Sequence, residues 1–374
     1  CEVEVVDRLT CRVHTKKYGY PAYHFWYQSS FLPIMSANDI NDPKILAQRL
    51  NGTGPFKFVK QDKDNTVMSS NENYFKGAPK IKDLHFIYVP DSTTRLISLQ
   101  SGEADVIERL ESEQVDVVEK DKNLKLNTAV SVENKYLWFR CSKPPFNDWR
   151  IRRAACHAID REQIWYLLGK SGHPSYAHIS PVKLGYTKVP DYPEYNSELC
   201  QKFLKEAGYP GGKGLPELEY ITSVGFYPKT KEYGEVITAM LNQEGFNVKL
   251  SVLETAAWNQ KLYDRPGGGP GHMIDCGWCT GSPEPDLILR MHFHSTSKRI
   301  TGIEDSDIDA SLDKERNAAT IEERVSVLQT ETLPLIAKKA PSLSLFTSVF
   351  IHGINRNLEG YFLYPNGMMD LEKA

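Results

Sequence analysis

The pattern most directly suited to chemistry is Cys276-Gly277-Trp278-Cys279. Two thiols at this spacing can form a redox pair in a thiol oxidoreductase or half of a zinc site. Here the pair stands alone among 7 cysteines. Met273 to Trp278 also reads as a strand, which sends positions 276 and 279 to opposite faces and opposes both a local bridge and chelation. His272, His292 and His294 lie close along the chain, but without helical spacing or a second cysteine pair they predict no metal. Pro266 to Gly271 is rich in glycine, yet it lacks the lysine and hydroxyl of a phosphate loop and precedes a strand instead of a helix. No Ser-His-Asp order, nucleophile elbow, paired-carboxylate motif or dinucleotide fingerprint is present. The expectation is a protein that is not an enzyme, has no catalytic residues and needs no cofactor. The competing reading is a thiol-redox or metal-binding enzyme built on Cys276 and Cys279.

Bulk properties narrow the classes further. The chain has 374 residues, of which 40% are hydrophobic, enough for two or three domains and a cleft among them. Its 45 basic and 48 acidic residues leave a net charge of -3, with no basic run to track a phosphate backbone, so nucleic acid is not an expected partner. No stretch approaches the roughly 18 apolar residues of a membrane helix. The opening Cys1 to Arg8 is charged and does not read as a leader.

The elements that must position these residues alternate between strand and helix. Val3, Val5, Leu9, Cys11 and Val13 alternate with polar residues around a break at Asp7-Arg8, predicting a hairpin. Asp42-Pro43 opens a short helix from Lys44 to Leu50. Strands follow near Pro55 to Val59 and Ile81 to Val89. Asp91 caps a helix whose Leu96, Ile97 and Leu99 share a face, Gly102 ends it, and Ala104 to Ile107 returns as a strand. Lys135 to Arg140 is an aromatic strand broken by Pro144-Pro145, after which Asn147 or Asp148 caps a helical region reaching Gly169. Helical stripes then close at Gly208 and Gly245, a strand runs from Phe246 to Val252, Ile321 to Ala337 is an amphipathic helix, and Leu343 to Ile351 is a strand. This interleaving indicates α/β architecture.

From Gly52 onward a series of motifs occurs in a specific order: Gly52-Thr53-Gly54-Pro55-Phe56, Asn73-Tyr74-Phe75-Lys76-Gly77, and Leu99-Gln100-Ser101-Gly102-Glu103-Ala104-Asp105. It continues through Lys143-Pro144-Pro145-Phe146-Asn147-Asp148, the run to Arg161, Leu204 to Gly208, and Gly277-Trp278 ahead of Glu284-Pro285-Asp286. In this order the chain resembles the family-five extracytoplasmic solute-binding proteins of ABC importers, which include oligopeptide-, dipeptide- and nickel-binding proteins. The resemblance implies a bilobal, type II periplasmic-binding-protein-like α/β fold with an additional small domain and a ligand cleft between lobes that close about a hinge. Residues 1–51 would be a remnant of the small third domain, 52–130 plus 341–374 one lobe, and 131–340 the other. The missing opening stretch would hold the export signal, leaving Cys1 as something other than a lipid-anchor cysteine. The implied role is periplasmic or extracytoplasmic capture of a small organic ligand by a monomer and its delivery to a membrane permease. A sensor of the same fold is the alternative.

The resemblance also suggests a site. Trp278 fits either a core aromatic or the pocket wall that the family's matching tryptophan provides, with Cys279, Thr280 and Gly281 on the same loop. Three residues beyond the tryptophan, the peptide-binding relatives place an aspartate against the ligand's ammonium group; here that position is Gly281, which offers only backbone groups. Glu284 or Asp286 could compensate, although the start of the following helix is their simpler role. Tyr136, Trp138 and Arg140 share one strand face, pointing toward the implied cleft. Tyr227 and Lys231 lie near the segment that reads a ligand carboxylate in relatives. A modified peptide, an opine-like conjugate, an oligosaccharide or a chelated metal would suit such an aromatic cleft.

Overall fold

The structure, a computed structural model, describes residues 2–14, 36–42, 44–45, 51–169, 172–224, 226–263, 269–278, 281–297 and 299–374. They divide into two units. One takes in Ser131–Ser348 and the opening hairpin; the other takes in the described residues from 36 to Val130 together with Val349–Ala374.

The hairpin pairs β1 (Glu2–Asp7) with β2 (Thr10–His14), Val5 facing Cys11. Leu9 lies in the turn, where its amide donates to Asp7 Oδ1 at 2.7 Å, and not in a strand as its alternation suggests. Of the short helix expected from Lys44 to Leu50, only Lys44 and Ile45 fall within the described residues; the Lys44 amide donates to Asp42 Oδ1, the expected cap.

In the second unit, β3 (Phe56–Gln61), β4 (Asn65–Ser70) and β5 (Asp83–Ile87) form an antiparallel sheet in chain order. Asp91 Oδ1 accepts from the Thr94 amide to open α1 (Ser92–Ser101), and Gly102 at φ 78° closes it, a backbone angle that favours glycine. Leu96 and Leu99 are buried, but Ile97 turns to solvent, so it does not share their face. The expected strand from Ala104 shortens to β6 (Val106–Ile107), and α2 (Ser112–Lys120) follows behind a capping box of Glu111 and Gln114. Leu96, Leu99, Ile107, Leu110, Val118 and Leu124 make this unit's main core.

Two long strands pass between the units: β7 (Leu124–Phe139) at Val130–Ser131, and a later strand, Ser342–Asn355, at Ser348–Val349. After β7, Asp148 caps α3 (Trp149–His157) by accepting from the Arg150 amide at 2.8 Å. The helical region expected to reach Gly169 is interrupted at Asp160, whose side chain accepts from the Glu162 amide and starts α4 (Arg161–Leu167) afresh. Next come β8 (Gly172–Pro174), α5 (Ser197–Glu206), β9 (Leu218–Val224), α6 (Thr230–Gln243), β10 (Val248–Glu254), α7 (Thr255–Tyr263) and β11 (Met273–Trp278). The chain continues through α8 (Asp286–Phe293), α9 (Ser306–Arg316), α10 (Ile321–Val327) and α11 (Leu333–Lys339) to β12 (Ser342–Asn355). The amphipathic helix from Ile321 thus forms, but a π turn over Leu328–Thr332 divides it just before Pro334, which has no amide to donate.

The strand order in the first unit is β10-β9-β11-β7-β12, with β8 paired to β12. β10, β9 and β11 are parallel, so Glu254, Val224 and Trp278 end at one edge of the sheet; β7 runs antiparallel beside β11. In open α/β sheets ligands collect outside the carboxyl ends of parallel strands. The site is therefore sought at that edge.

Candidate ligand-binding site

Along β11 the side chains alternate, Asp275 and Gly277 on one face, Cys276 and Trp278 on the other. The indole of Trp278 is half-buried. His292 of α8 meets it edge-on, with ring centroids 4.8 Å apart, and stacks in turn on Trp138 of β7 at 4.6 Å. His292 Nδ1 is 2.7 Å from the Ile288 carbonyl, which makes it the donor and fixes the imidazole plane. From the other direction, the Arg299 guanidinium lies 4.5 Å over the Trp278 ring. Trp138, His292, Trp278 and Arg299 thus form a row from the core to the sheet edge, and the row holds the indole in a single orientation.

The opposite face of β11 is charged. Lys135 of β7 sits across from Gly277, forms an ion pair with Glu133 at 2.7 Å, and lies 2.9 Å from the centre of the Tyr227 ring. Tyr227 donates its hydroxyl to the Gly277 carbonyl at 3.3 Å. A side chain at 277 would strike the Lys135 ammonium and come within 2.7 Å of a Glu133 oxygen, so it would have to push this ion pair aside. Deeper on this face, Tyr233 donates to Asp275 at 2.6 Å. Burial pushes the Asp275 carboxyl up to about 6, despite opposing hydrogen bonds and the Lys135 charge.

The loop that follows Trp278 is pinned from below. Buried Lys183 donates to the Ser282 carbonyl at 2.7 Å, and the Leu184 amide donates to the Pro283 carbonyl at 2.8 Å. Glu284 accepts from the Asp286 amide at 3.0 Å and pairs with Arg324 at 2.5 Å; Arg324 also pairs with Glu315 at 2.7 Å. Asp286 binds Arg290 at 3.0 Å and also Arg316. Both acids are buried and committed to these pairs, so they organise the start of α8 and do not supply a ligand-facing charge. Burial would raise the Asp286 carboxyl, but hydrogen bonding and the two arginines hold it at about 2.

The residues expected to bind ligand separate into groups. Trp278 and Tyr227 both lie at the carboxyl end of β11 but on opposite faces of the strand, with Gly281 exposed on the pinned loop. Lys231 is exposed on the first turn of α6, 4.0 Å from Glu235. Cys279 and Thr280 lie outside the described residues. Tyr136, Trp138 and Arg140 do share a face, but that face is interior. Tyr136 donates to the His178 carbonyl, Trp138 to that of Cys276, and Arg140 to those of Ile300 and Lys261, with side chains sealed from solvent. Alternation places them together correctly, while α8 and the chain around Ile300 cover them, so these three are corrected from ligand contacts to core.

Glu133, Lys135, His292 and Arg299 were not anticipated at the site. The two opposite charges at alternate positions just ahead of the apolar Tyr136–Phe139 run were a usable signal for Glu133 and Lys135; Arg299 carries no local periodicity.

Thiol and metal chemistry find little support in this arrangement. Cys276 is buried, its thiol donates to the Gly277 carbonyl at 2.8 Å, and burial pushes its pKa well up, away from a reactive thiolate. His272 accepts from the Glu219 amide through Nδ1, and His294 faces Asp309 and Asp313. Among the described residues no group of three metal-ligating side chains comes together, and no helix is long and apolar enough to cross a membrane.

The sequence pattern of the bacterial extracellular solute-binding proteins, family 5, matches residues 2–299. The chain belongs to this family. This family-five protein is 26% identical to heme-binding protein A of Haemophilus influenzae over 98% of its own length and 68% of the relative's. It is 26% identical to the probable di/tripeptide-binding protein 5 of Pseudomonas aeruginosa over 86% of its own length and 61% of the relative's. The solved structure of HbpA2 from Haemophilus parasuis superposes with a TM-score of 0.81 at 25% identity, covering 98% of this chain and 73% of that one. The periplasmic-binding-protein α/β fold is thereby established. The chain spans roughly two thirds of the length of these curated relatives, which are named as binding proteins and not as enzymes.

Proposed function

We propose that this protein is the solute-binding component of an ABC importer, capturing a peptide-like ligand outside the cytoplasm and delivering it unchanged to a membrane permease. The observation that supports this reading is Trp278: a half-buried indole at the carboxyl edge of three parallel strands, held in orientation by His292 and Arg299. A fixed aromatic wall loses little freedom on binding, so its contact area goes directly into affinity. Gly281 follows it on the pinned loop, Tyr227 lies on the other face of the strand, and Lys231 adds positive charge at the same edge. A di/tripeptide-binding relative favours a peptide-like ligand over a sugar. The buried, proton-retaining Cys276 favours binding over thiol chemistry.

The test combines native mass spectrometry of gently purified protein with a thermal-shift panel of peptides. A tight ligand raises the unfolding temperature by mass action. The reading expects stabilisation by peptides and recovery of the ligand with unchanged mass. Absence of stabilisation by any peptide, or release of a chemically altered product, contradicts it.

A further inference from the structure

We propose that Arg140 is a positioning residue for the ligand wall: by holding the Ile300 carbonyl it keeps the turn Arg299–Thr301 in a strained form, and that turn sets Arg299 over the Trp278 indole. Its effect on ligand affinity rests on the solute-binding reading above; its effect on Trp278 itself does not.

The turn is unusual for its sequence. The Thr301 amide donates to the Arg299 carbonyl at 2.8 Å, two residues back, and Ile300 between them has φ 66°. This is the positive-φ γ-turn, a rare and strained form of the backbone. A β-branched residue is an outlier there, because its side chain crowds the backbone at positive φ, whereas glycine would fit freely. Strain of this kind persists only where the surroundings over-determine it, and it gathers at binding sites.

The surroundings do so here. The Ile300 side chain is buried in the core of the first unit, which fixes the apex of the turn. Arg140 Nη1 donates to the Ile300 carbonyl at 2.5 Å, and Nη2 donates to the Lys261 carbonyl at 3.0 Å, in the last turn of α7. One planar, permanently charged guanidinium thus ties the turn to the end of a helix, where carbonyls lack partners within the helix itself. The backbone beside it adds two more ties: the Arg140 amide donates to the His272 carbonyl at 2.9 Å, and the Cys141 amide donates to the Thr301 carbonyl at 2.7 Å.

What the turn holds is the wall. Before its apex, the Arg299 amide donates to the Met291 carbonyl at 3.0 Å, and the guanidinium lies 4.5 Å over the Trp278 ring. After its apex, Thr301 donates its hydroxyl to the His292 carbonyl at 2.6 Å, and the His292 ring meets the same indole at 4.8 Å. Both groups that orient Trp278 are therefore fastened to the turn that Arg140 restrains. Relaxation of Ile300 to negative φ would break the bond between Arg299 and Thr301 and move the two apart, releasing the indole. A wall ordered in advance loses little freedom on binding, so the restraint acts on affinity from within the core.

The test uses the whole protein labelled with fluorinated tryptophan, in which the Trp278 fluorine resonance is assigned by its loss in Trp278→Phe. Arg140→Met should shift or broaden the Trp278 resonance in the absence of ligand and leave that of Trp149, on α3, in place. The same variant should weaken binding of a peptide selected by thermal shift about 10-fold. Arg140→Lys should fall between it and the wild type, because an ammonium cannot span both carbonyls as the fork does. Ile300→Gly accepts the turn without restraint, so adding Arg140→Met to it should change both readouts far less than in the wild-type background. A side chain that only fills the core predicts the same change in both backgrounds. A Trp278 resonance unchanged in Arg140→Met and Arg140→Lys, a change that spreads to Trp149, or an equal change in the two backgrounds overturns the proposal. If no peptide binds the wild type, the solute-binding reading falls while the fluorine spectra still decide the role of Arg140. Should Arg140→Met or Ile300→Gly fail to fold by circular dichroism, Arg140→Lys decides the question through its Trp278 resonance.

Discussion

The Arg299 guanidinium lies 4.5 Å over the Trp278 indole, whose ring also meets buried His292 at 4.8 Å. On the proposed reading, truncating the half-buried Trp278 indole removes contact area with the ligand. Trp278→Ala should therefore cost about 2 kcal/mol or more in binding, as interface anchors do, while circular dichroism and the unfolding temperature change little. Unfolding of the variant would place Trp278 in the core.

Arg324 pairs with both Glu284 and Glu315 in a buried setting, and Glu284 in turn receives the first amide of α8. Removing the cation strands two acids away from water. Arg324→Leu should destabilise by about 3–5 kcal/mol in urea unfolding. The double variant Arg324→Leu with Glu284→Leu should be less damaged than the sum of the two single variants, because each partner's loss is what makes the other's burial costly. Strict additivity would mean that the pair does not act together.

Stability should respond to pH through Asp275. Its folded pKa, raised by burial to about 6 from 3.8, means that the fold holds the proton more tightly than the unfolded chain does. The associated stability is complete below the lower value and is lost as pH rises through the upper one. Roughly 3 kcal/mol is at stake, at about 1.4 kcal/mol per pKa unit. Asp275→Asn cannot ionise, so its stability relative to wild type should improve from about pH 4 to about pH 8. His178 acts in the opposite sense: burial lowers its pKa from 6.5 to about 4, so its contribution is present above 6.5 and is lost as pH falls toward 4. Urea unfolding of wild type and Asp275→Asn across this range checks the sign, and a parallel offset at every pH contradicts it.

Cys276 should be inert in the folded protein. Its thiol is buried, bonded to the Gly277 carbonyl, and shifted away from ionisation. Cys276→Ser should leave ligand affinity unchanged, and thiol titration should detect position 276 only after denaturation. Rapid native modification of Cys276, accompanied by loss of binding, would revive the redox reading.

Much of the fold was legible because local chemistry sets it. Asp91 and Gly102 bracket α1, Asp148 opens α3, and Gly208 and Gly245 fall where helices stop, since caps and positive backbone angles are properties of single residues. The break at Asp160 was missed although its side chain is a good cap, because apolar spacing continues across it. β4 was missed because in Asn65–Ser70 only Val67 is buried, leaving no alternation to read.

The site was less legible for a related reason. Alternation shows that Tyr136, Trp138 and Arg140 share a face; whether α8 covers that face depends on residues far away in the chain. Lys135 across from Gly277, and Arg299 over Trp278, are likewise meetings between distant segments. A motif marks Trp278 in the sequence, whereas the groups that orient it carry no such mark.

The most direct test of the central claim is a crystal structure of the protein with a peptide selected by thermal shift. The account predicts the peptide lying against the Trp278 indole at the carboxyl edge of β9 and β11, chemically intact. A peptide bound elsewhere on the chain, with Trp278 untouched, would contradict it.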